Sequence, residues 1–198
     1  MRFNAFITAA LTSLLLGGCA GGGAPPATFD LLAPKVMTLT APKPATFQLV
    51  VNEPRAVRSL ESDRILVKPG PAQISYYKNA VWSDRLPRLL QARFVEAFQN
   101  AGLVSAVGSR ADRLDADIEM ATEVRAFQID IDGGQAQAHA SLYVKVIDGK
   151  NGRMIASRGF ESQTPTSATD VNQMVVALNQ SFDKILHDVV PWVAARRR

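Results

Sequence analysis

Two stretches in the second half of the sequence alternate between apolar and polar residues, and this alternation constrains the fold more than any other feature. In the first stretch, apolar residues and one threonine occupy the even positions from Ala116 to Val124. In the second, apolar residues occupy the even positions from Ala136 to Val146. A period of two places these side chains on one face of a β-strand. The sequence therefore predicts two half-buried strands, each with one face toward solvent.

The first of these strands changes phase after Val124. Its apolar residues move to the odd positions Phe127, Ile129 and Ile131. A shift by one residue predicts a β-bulge near Arg125–Phe127. Turn residues predict hairpins at 69–71, 132–134 and 148–152 and a turn at 59–63. The remaining predicted strands are 28–32, 47–51, 64–68, 73–77 and 153–163.

Apolar residues recur at intervals of three and four from Leu86 to Ala101 and again from Val171 to Val189. Each of these stretches predicts an amphipathic helix. For the first helix we expect Ser83 or Asp84 as the N-cap, Pro87 in the first turn and Gly102 at the C-terminal end. For the second helix we expect Thr169 or Asp170 as the N-cap, and Pro191 should bend or end it. The elements together predict an α+β fold. We expect a largely antiparallel sheet with two long amphipathic helices packed on one face.

The N-terminus has a different organisation. Arg2 precedes an uncharged apolar run from Phe3 to Leu16, and Gly17 and Gly18 follow directly before Cys19. This is the pattern of a secretory signal, and the run is short for a permanent membrane span. Residues 16–19 also resemble the lipobox of bacterial lipoproteins, in which the cysteine becomes lipidated and the chain is cut before it.

This resemblance implies a division of the chain into three parts. Residues 1–18 are the expected signal peptide, and residues 19–27 are the lipidated Cys19 with a flexible tether rich in Gly, Ala and Pro. Residues 28–198 are expected to form a single α+β domain with a short basic C-terminal tail. Because Ala20 is not Asp, resemblance to enteric lipoproteins argues against retention in the inner membrane. We therefore expect a lipid anchor in the outer membrane, with the domain facing the periplasm.

Composition and spacing disfavour several classes of function. The net charge of +4 is mild and is concentrated in the C-terminal arginines, which argues against a nucleic-acid partner. His139 and His187 lack neighbouring ligands at metal-binding spacing, so we expect no metal site. Residues 130–134 are better explained as a hairpin turn than as a calcium loop. The carboxylates of Asp115, Asp117 and Glu119 are better explained by a solvated sheet face than by acid–base catalysis. We expect no catalytic residues and no cofactor other than the anchor.

Four aromatic residues remain candidates for a partner or lipid contact. Tyr76, Tyr77 and Trp82 precede the first helix, and they fit either a core plug between hairpin and helix or a contact surface. Trp192 precedes the basic tail at Arg196–Arg198. This tail fits either a frayed end or a contact with anionic head groups or an acidic partner.

The stretch from Ile74 to Leu90, ISYYKNAVWSDRLPRLL, resembles the ABC-type transport auxiliary lipoproteins. The shared features are a hairpin ending in aromatics, an A-x-W-x-x-x-L-P-x-L-L motif, the lipobox and the hairpin loop at 148–152. The resemblance implies an outer-membrane lipoprotein, anchored at Cys19, that works with an inner-membrane ABC transporter and a periplasmic MCE-domain protein in lipid transport. It implies no catalytic residues.

Two functions from different classes are compatible with these features. One is a non-catalytic docking subunit of the transport system. The other is a lipid-binding carrier, which needs an apolar pocket of roughly 300–1,000 Å³ between sheet and helices. The sequence leaves open whether the chain forms a homo-oligomer.

Overall fold

The protein folds as a mixed sheet with two long helices, as seen in a computed structural model that describes residues 24–35 and 45–196. The elements in chain order are β1 (Ala27–Phe29), β2 (Gln48–Val51), β3 (Arg55–Ala56), β4 (Arg64–Gly70), β5 (Gln73–Trp82), α1 (Leu86–Ala101), β6 (Ala106–Gly108), β7 (Ile118–Asp132), β8 (Gln135–Asp148), β9 (Met154–Thr166) and α2 (Val171–Ala194).

Strand β7 organises the sheet because both of its edges are used. One edge pairs with β8 in an antiparallel hairpin from Ile118 to Asp132. The other edge pairs in parallel with β2, β3 and β4 in succession. Strand β9 extends the sheet beyond β8, and β5 and then β1 extend it beyond β4. The α+β prediction is confirmed, but the sheet is mixed: its long pairings are antiparallel and its short pairings parallel.

The predicted bulge is present in β7. Val124 pairs with Leu142 and Ala126 pairs with Ser141, so Arg125 is the extra residue. After the bulge the odd positions face the core, and Phe127 is therefore buried. The bulge thus preserves one continuous core face along the strand despite the change in sequence phase.

The two helices pack on the same face of the sheet and meet there through aromatic rings. Phe127 of β7 lies edge to face with Trp82 of β5 at 6.1 Å and with Phe182 of α2 at 6.0 Å between ring centroids. Phe182 in turn lies 5.5 Å from Phe94 of α1. Edge-to-face pairs of this kind add to the free energy of burial. This chain of four rings joins both helices to the middle of the sheet.

Small side chains in β8 allow α2 to approach the sheet closely. Ala136, Ala138 and Ala140 are all buried on the helix side of that strand. The hydroxyl of Ser181, which is fully buried in α2, donates to the carbonyl of Ala138 at 3.2 Å. It also lies 2.8 Å from the hydroxyl of Thr164 in β9. A buried hydroxyl therefore has partners on two strands, which offsets its desolvation.

The beginning of α1 differs from the prediction. The N-cap is Arg85, not Ser83 or Asp84, and no side chain caps the helix. Asp84 instead accepts a hydrogen bond from the backbone N–H of Arg85 at 2.7 Å. Pro87 lies in the first turn as predicted, where its missing N–H has no helical partner to lose. Gly102 ends the helix in a left-handed conformation, also as predicted.

The ends of α2 give one confirmed prediction and one correction. Asp170 is the N-cap, and its carboxylate accepts from the N–H of Asn172 at 2.9 Å. Of the two effects predicted for Pro191, a bend or an end, the end is wrong, because the helix continues to Ala194. Pro191 removes one main-chain hydrogen bond near the end of the helix. The last turn is held by packing, since Val193 and Ala194 are buried against the core.

Several strand boundaries also differ from the sequence prediction, including the last strand, which runs from Met154 to Thr166 and not from 153 to 163. The first hairpin turn is Pro71–Ala72 and not 69–71, because Gly70 still pairs with Gln73. Strand β5 extends to Trp82, where its C-terminal end gains a second neighbour by pairing with β1. The first strand, predicted at 28–32, is Ala27–Phe29. The two-residue β3 was not predicted, because so short a strand has no detectable period.

Replacing Phe182 tests whether the aromatic chain holds the two layers together. We expect Phe182→Ala to lower the free energy of unfolding by about 3–5 kcal/mol, because it leaves a cavity between both helices and the sheet. Val176→Ala on the same helix is the matched control, since Val176 is 55% exposed. Chemical denaturation, followed by tryptophan fluorescence, measures the free energy of unfolding of both variants. Equal small losses of unfolding free energy in the two variants would contradict this role of Phe182.

Candidate interaction surfaces

The predicted anchor, Cys19, lies outside the described residues, so its lipidation stays a prediction. The described residues begin at Ala24. Strand β1 starts at Ala27, which is the last residue of the predicted tether. Across the described ranges, no helix is both long enough and apolar enough to span a bilayer.

The three aromatic candidates on β5 have different surroundings. Tyr76 is half-buried, and its hydroxyl donates to the carbonyl of Ser59 at 3.2 Å. The hydroxyl of Tyr77 donates to the carbonyl of Thr169 at 3.0 Å, just before α2. Trp82 is 3% exposed and belongs to the aromatic chain of the core. The two tyrosines therefore fasten β5 to loops, and Trp82 fastens it to the core.

The fourth candidate, Trp192, is half-buried and lies in a cluster that we call the C-terminal corner: Arg158, Phe160, Trp192 and Arg196. The ring of Trp192 lies edge to face with Phe160 at 5.4 Å. The guanidinium of Arg196 lies 4.9 Å from the Trp192 ring, and that of Arg158 lies 5.0 Å from the Phe160 ring. Neither guanidinium has a carboxylate partner among the described residues. The corner therefore presents two cations backed by aromatic rings.

Sequence reasoning missed two members of this corner. Arg158 and Phe160 lie on β9, more than 30 positions before Trp192, and only the pairing of α2 with β9 brings them together. Their i, i+2 spacing on a strand places both side chains on one face. The sequence therefore shows that Arg158 and Phe160 share a face of the strand, but it does not show that this face contacts the C-terminal helix.

The outer face of the sheet carries an open groove of about 710 Å³. Its lining residues are Asn52, Glu53, Arg55, Arg110, Ala121, Thr122, Glu123, Lys145 and Ile147. At one end the guanidinium of Arg110 donates to Asn52 at 2.8 Å and forms an ion pair with Glu119 at 2.6 Å. Asn52 also donates to Glu119, at 3.0 Å. These polar groups bond to one another, and the lining contains no nucleophile with an adjacent base.

A short 3₁₀ turn at Arg110–Asp112, in a segment predicted as a loop, places Arg110 in this groove. The carboxylate of Asp112 accepts from the backbone N–H of Ser109 at 2.6 Å and from its hydroxyl at 2.9 Å. These hydrogen bonds, the backbone one first, lower the pKa of Asp112 below its ordinary value. The turn is therefore most stable when Asp112 is ionised.

His139 bridges two carboxylates across three strands on the outer face. Its Nδ1 lies 2.8 Å from Asp130 of β7, and its Nε2 lies 3.1 Å from Glu161 of β9. His187 lies 3.7 Å from Asp183 on the same helix. Within the described ranges, no group of three or more His, Cys, Asp or Glu residues could hold a metal ion. Gly133 and Gly134 form the predicted hairpin turn, and both have positive φ.

The predicted acidic face also has structural partners. The carboxylate of Asp117 accepts from the backbone N–H of Gln48 at 3.1 Å, which links the start of β2 to the chain just before β7. Glu119 is held by Arg110 and Asn52. These carboxylates therefore connect β2, β7 and the 3₁₀ turn rather than forming an isolated acid–base pair.

Residues 29–190 match the family described as ABC-type transport auxiliary lipoprotein components. The chain belongs to this family. The match spans every element from the end of β1 to most of α2, so the whole folded domain is the family domain. The resemblance found in the sequence is thereby confirmed.

One curated relative and two solved structures are similar to this chain. An uncharacterized protein of Bradyrhizobium diazoefficiens is 30% identical over 174 residues, which cover 87% of this chain and 46% of the relative. The chain therefore spans about half the length of the curated relative it matches. The crystal structure of XCC0632 from Xanthomonas campestris, a DUF330 protein, has a TM-score of 0.77 and 28% identity, covering 84% of this chain and 94% of that one. A second crystal structure, of an uncharacterized protein, has a TM-score of 0.65 and 16% identity over 85% of this chain and 99% of that one, and shows the fold alone.

The 3₁₀ turn generates a prediction about pH. Because folding lowers the pKa of Asp112 from 3.8, its contribution to stability is present above that value and is lost as the pH falls through the folded pKa. We expect Asp112→Asn to reduce the acid-induced loss of stability relative to the unmodified protein. Denaturation midpoints measured from neutral pH down to about pH 3 test this. Asp132→Asn, at an exposed hairpin turn, is the control, and an equal effect of both variants would contradict the prediction.

Proposed function

We propose that this protein is a lipid-anchored, non-catalytic docking subunit of an ABC-type transport system that moves lipids across the periplasm. Its partners are an inner-membrane ABC transporter and a periplasmic MCE-domain protein. The observation that carries the proposal is the family match, which covers the folded domain from residue 29 to residue 190. The family consists of auxiliary lipoproteins, and an auxiliary subunit acts through contacts with other components.

The anchor and the location are part of this proposal. Residues 1–18 are the proposed signal peptide, Cys19 the lipidated residue and residues 19–27 the anchored tether. Residues 28–198 form the proposed periplasmic domain with its basic tail. Several acyl chains on one cysteine hold a protein at a membrane far more firmly than a single chain does. We place the anchor in the outer membrane because Ala20 follows the cysteine.

The packing of the core supports docking over lipid carriage. A carrier needs space between the sheet and the helices for an acyl chain. Along the line from Trp82 through Phe127 and Phe182 to Phe94, that layer is filled by rings in contact. A small groove of about 310 Å³ at the edge of this layer, between the end of β9 and α2, is open to solvent and lined partly by amide side chains. The groove described above, on the other face of the sheet, is lined mainly by charged and polar residues. Such a surface suits a protein partner better than an acyl chain.

The anchor has a direct test in cells. We expect Cys19→Ala to move the full-length protein from the membrane pellet to the soluble fraction, because the thiol is the proposed attachment point. Fractionation followed by immunoblotting measures the shift. Ser13→Ala, which keeps the apolar run and the cysteine, is the control and should stay in the membrane. Unchanged membrane association of the Cys19 variant would contradict the anchor.

The docking role predicts defined partners. After mild crosslinking and detergent extraction, the tagged full-length protein should recover the ATPase, permease and MCE-domain components of one transport system. Mass spectrometry identifies them, and an untagged strain provides the background. Recovery of the protein without any transport component, from cells that express such a system, would overturn the proposal.

A further inference from the structure

Strand β9 has one edge without a neighbour in the described structure. It pairs with β8 from Met154 to Thr166, and among residues 24–35 and 45–196 no strand pairs with its other edge. An edge strand of this length presents a row of main-chain N–H and C=O groups that can pair with another extended chain. Its regular part is bounded by an irregularity at Ile155 and by Pro165.

A groove of about 310 Å³ runs between the end of β9 and α2. Its lining residues are Pro165, Thr166, Asn172, Gln173, Val176, Ala177 and Gln180. Val176 is 55% exposed and gives the groove its apolar side chain. The hydroxyl oxygen of Thr166 is buried and has no hydrogen-bond partner among the described residues. The groove therefore offers an apolar contact and three amide side chains, beside a buried hydroxyl.

The helix side of this edge is cationic. Lys184 of α2 reaches β9, and its ammonium donates to Thr164 at 3.2 Å. The C-terminal corner adds Arg158 and Arg196, which have no carboxylate partner among the described residues. Asp188, one helical turn from Lys184, is the acidic group on this stripe. On the helix side of β9, three cations thus stand against the carboxylate of Asp188, while Glu161 of β9 lies on the outer face beside His139.

We propose that an extended, acidic peptide segment of the transport partner adds to β9 as a new strand. The free edge supplies main-chain hydrogen bonds, the groove at Val176 receives an apolar side chain, and the cations of the corner meet carboxylates. The inference rests on the proposed docking function and assigns it a surface. A second copy of this chain fits less well, because pairing β9 with itself doubles the same cationic flank.

Charge reversal on this edge tests the surface. We expect Arg158→Glu and Val176→Asp each to lower recovery of the transport components by at least about fivefold, the scale of an important interface residue. Arg58→Glu and Val57→Asp make the same changes at exposed positions in the turn after β3 and serve as matched controls. Thermal unfolding of each variant shows whether it folds. If the unmodified protein recovers no components, the docking function fails; if all variants recover them equally, the β9 surface is wrong.

A crosslinker on the edge gives an independent readout that does not disturb the charges. Benzoylphenylalanine in place of Gln163, which is exposed on β9, is activated by light in cells expressing the full-length protein. The expected product joins residue 163 to an acidic, extended segment of a component that copurifies. A crosslink to the protein's own chain or to a second copy overturns the inference. Absence of any crosslink while the complex is recovered intact does the same.

Discussion

The architecture depends on a single long strand, β7, that is paired along both edges. On one side β8 pairs with it along its whole length, with one bulge at Arg125. On the other side β2, β3 and β4 each pair with a short stretch of it in succession. Both edges of β7 must stay in register with their partner strands while its apolar side chains keep facing the core. The extra residue at Arg125 achieves this, because it turns Phe127 toward the helices instead of toward solvent.

The features best predicted from the sequence are those that depend on local periodicity. Alternation in β7 and β8 and the change of phase at Arg125 specify the sheet's central hairpin before any tertiary contact is known. Features that tertiary packing decides were not predictable. Pro191 does not end α2, because Val193 and Ala194 are buried. Helix α1 begins at Leu86, and its N-cap Arg85 provides no side-chain cap.

The same division applies to the candidate surface. Trp192 stood out in the sequence through its neighbouring arginines, but its partners Arg158 and Phe160 lie on a strand that meets it only in the folded protein. Trp82, which also stood out, serves the core. A lipobox, in contrast, is recognised on an extended chain, so predicting one at residues 16–19 requires no knowledge of the fold. The sequence is thus more informative about the proposed anchor than about the proposed docking surface.

A docking subunit and a lipid carrier are separated most directly by what accompanies the purified protein. Native mass spectrometry of the full-length protein, gently extracted from its own membrane, gives this answer in one spectrum. The account predicts complexes with transport components and no stoichiometric phospholipid beyond the covalent anchor. A one-to-one complex with phospholipid, in the absence of those components, would contradict it.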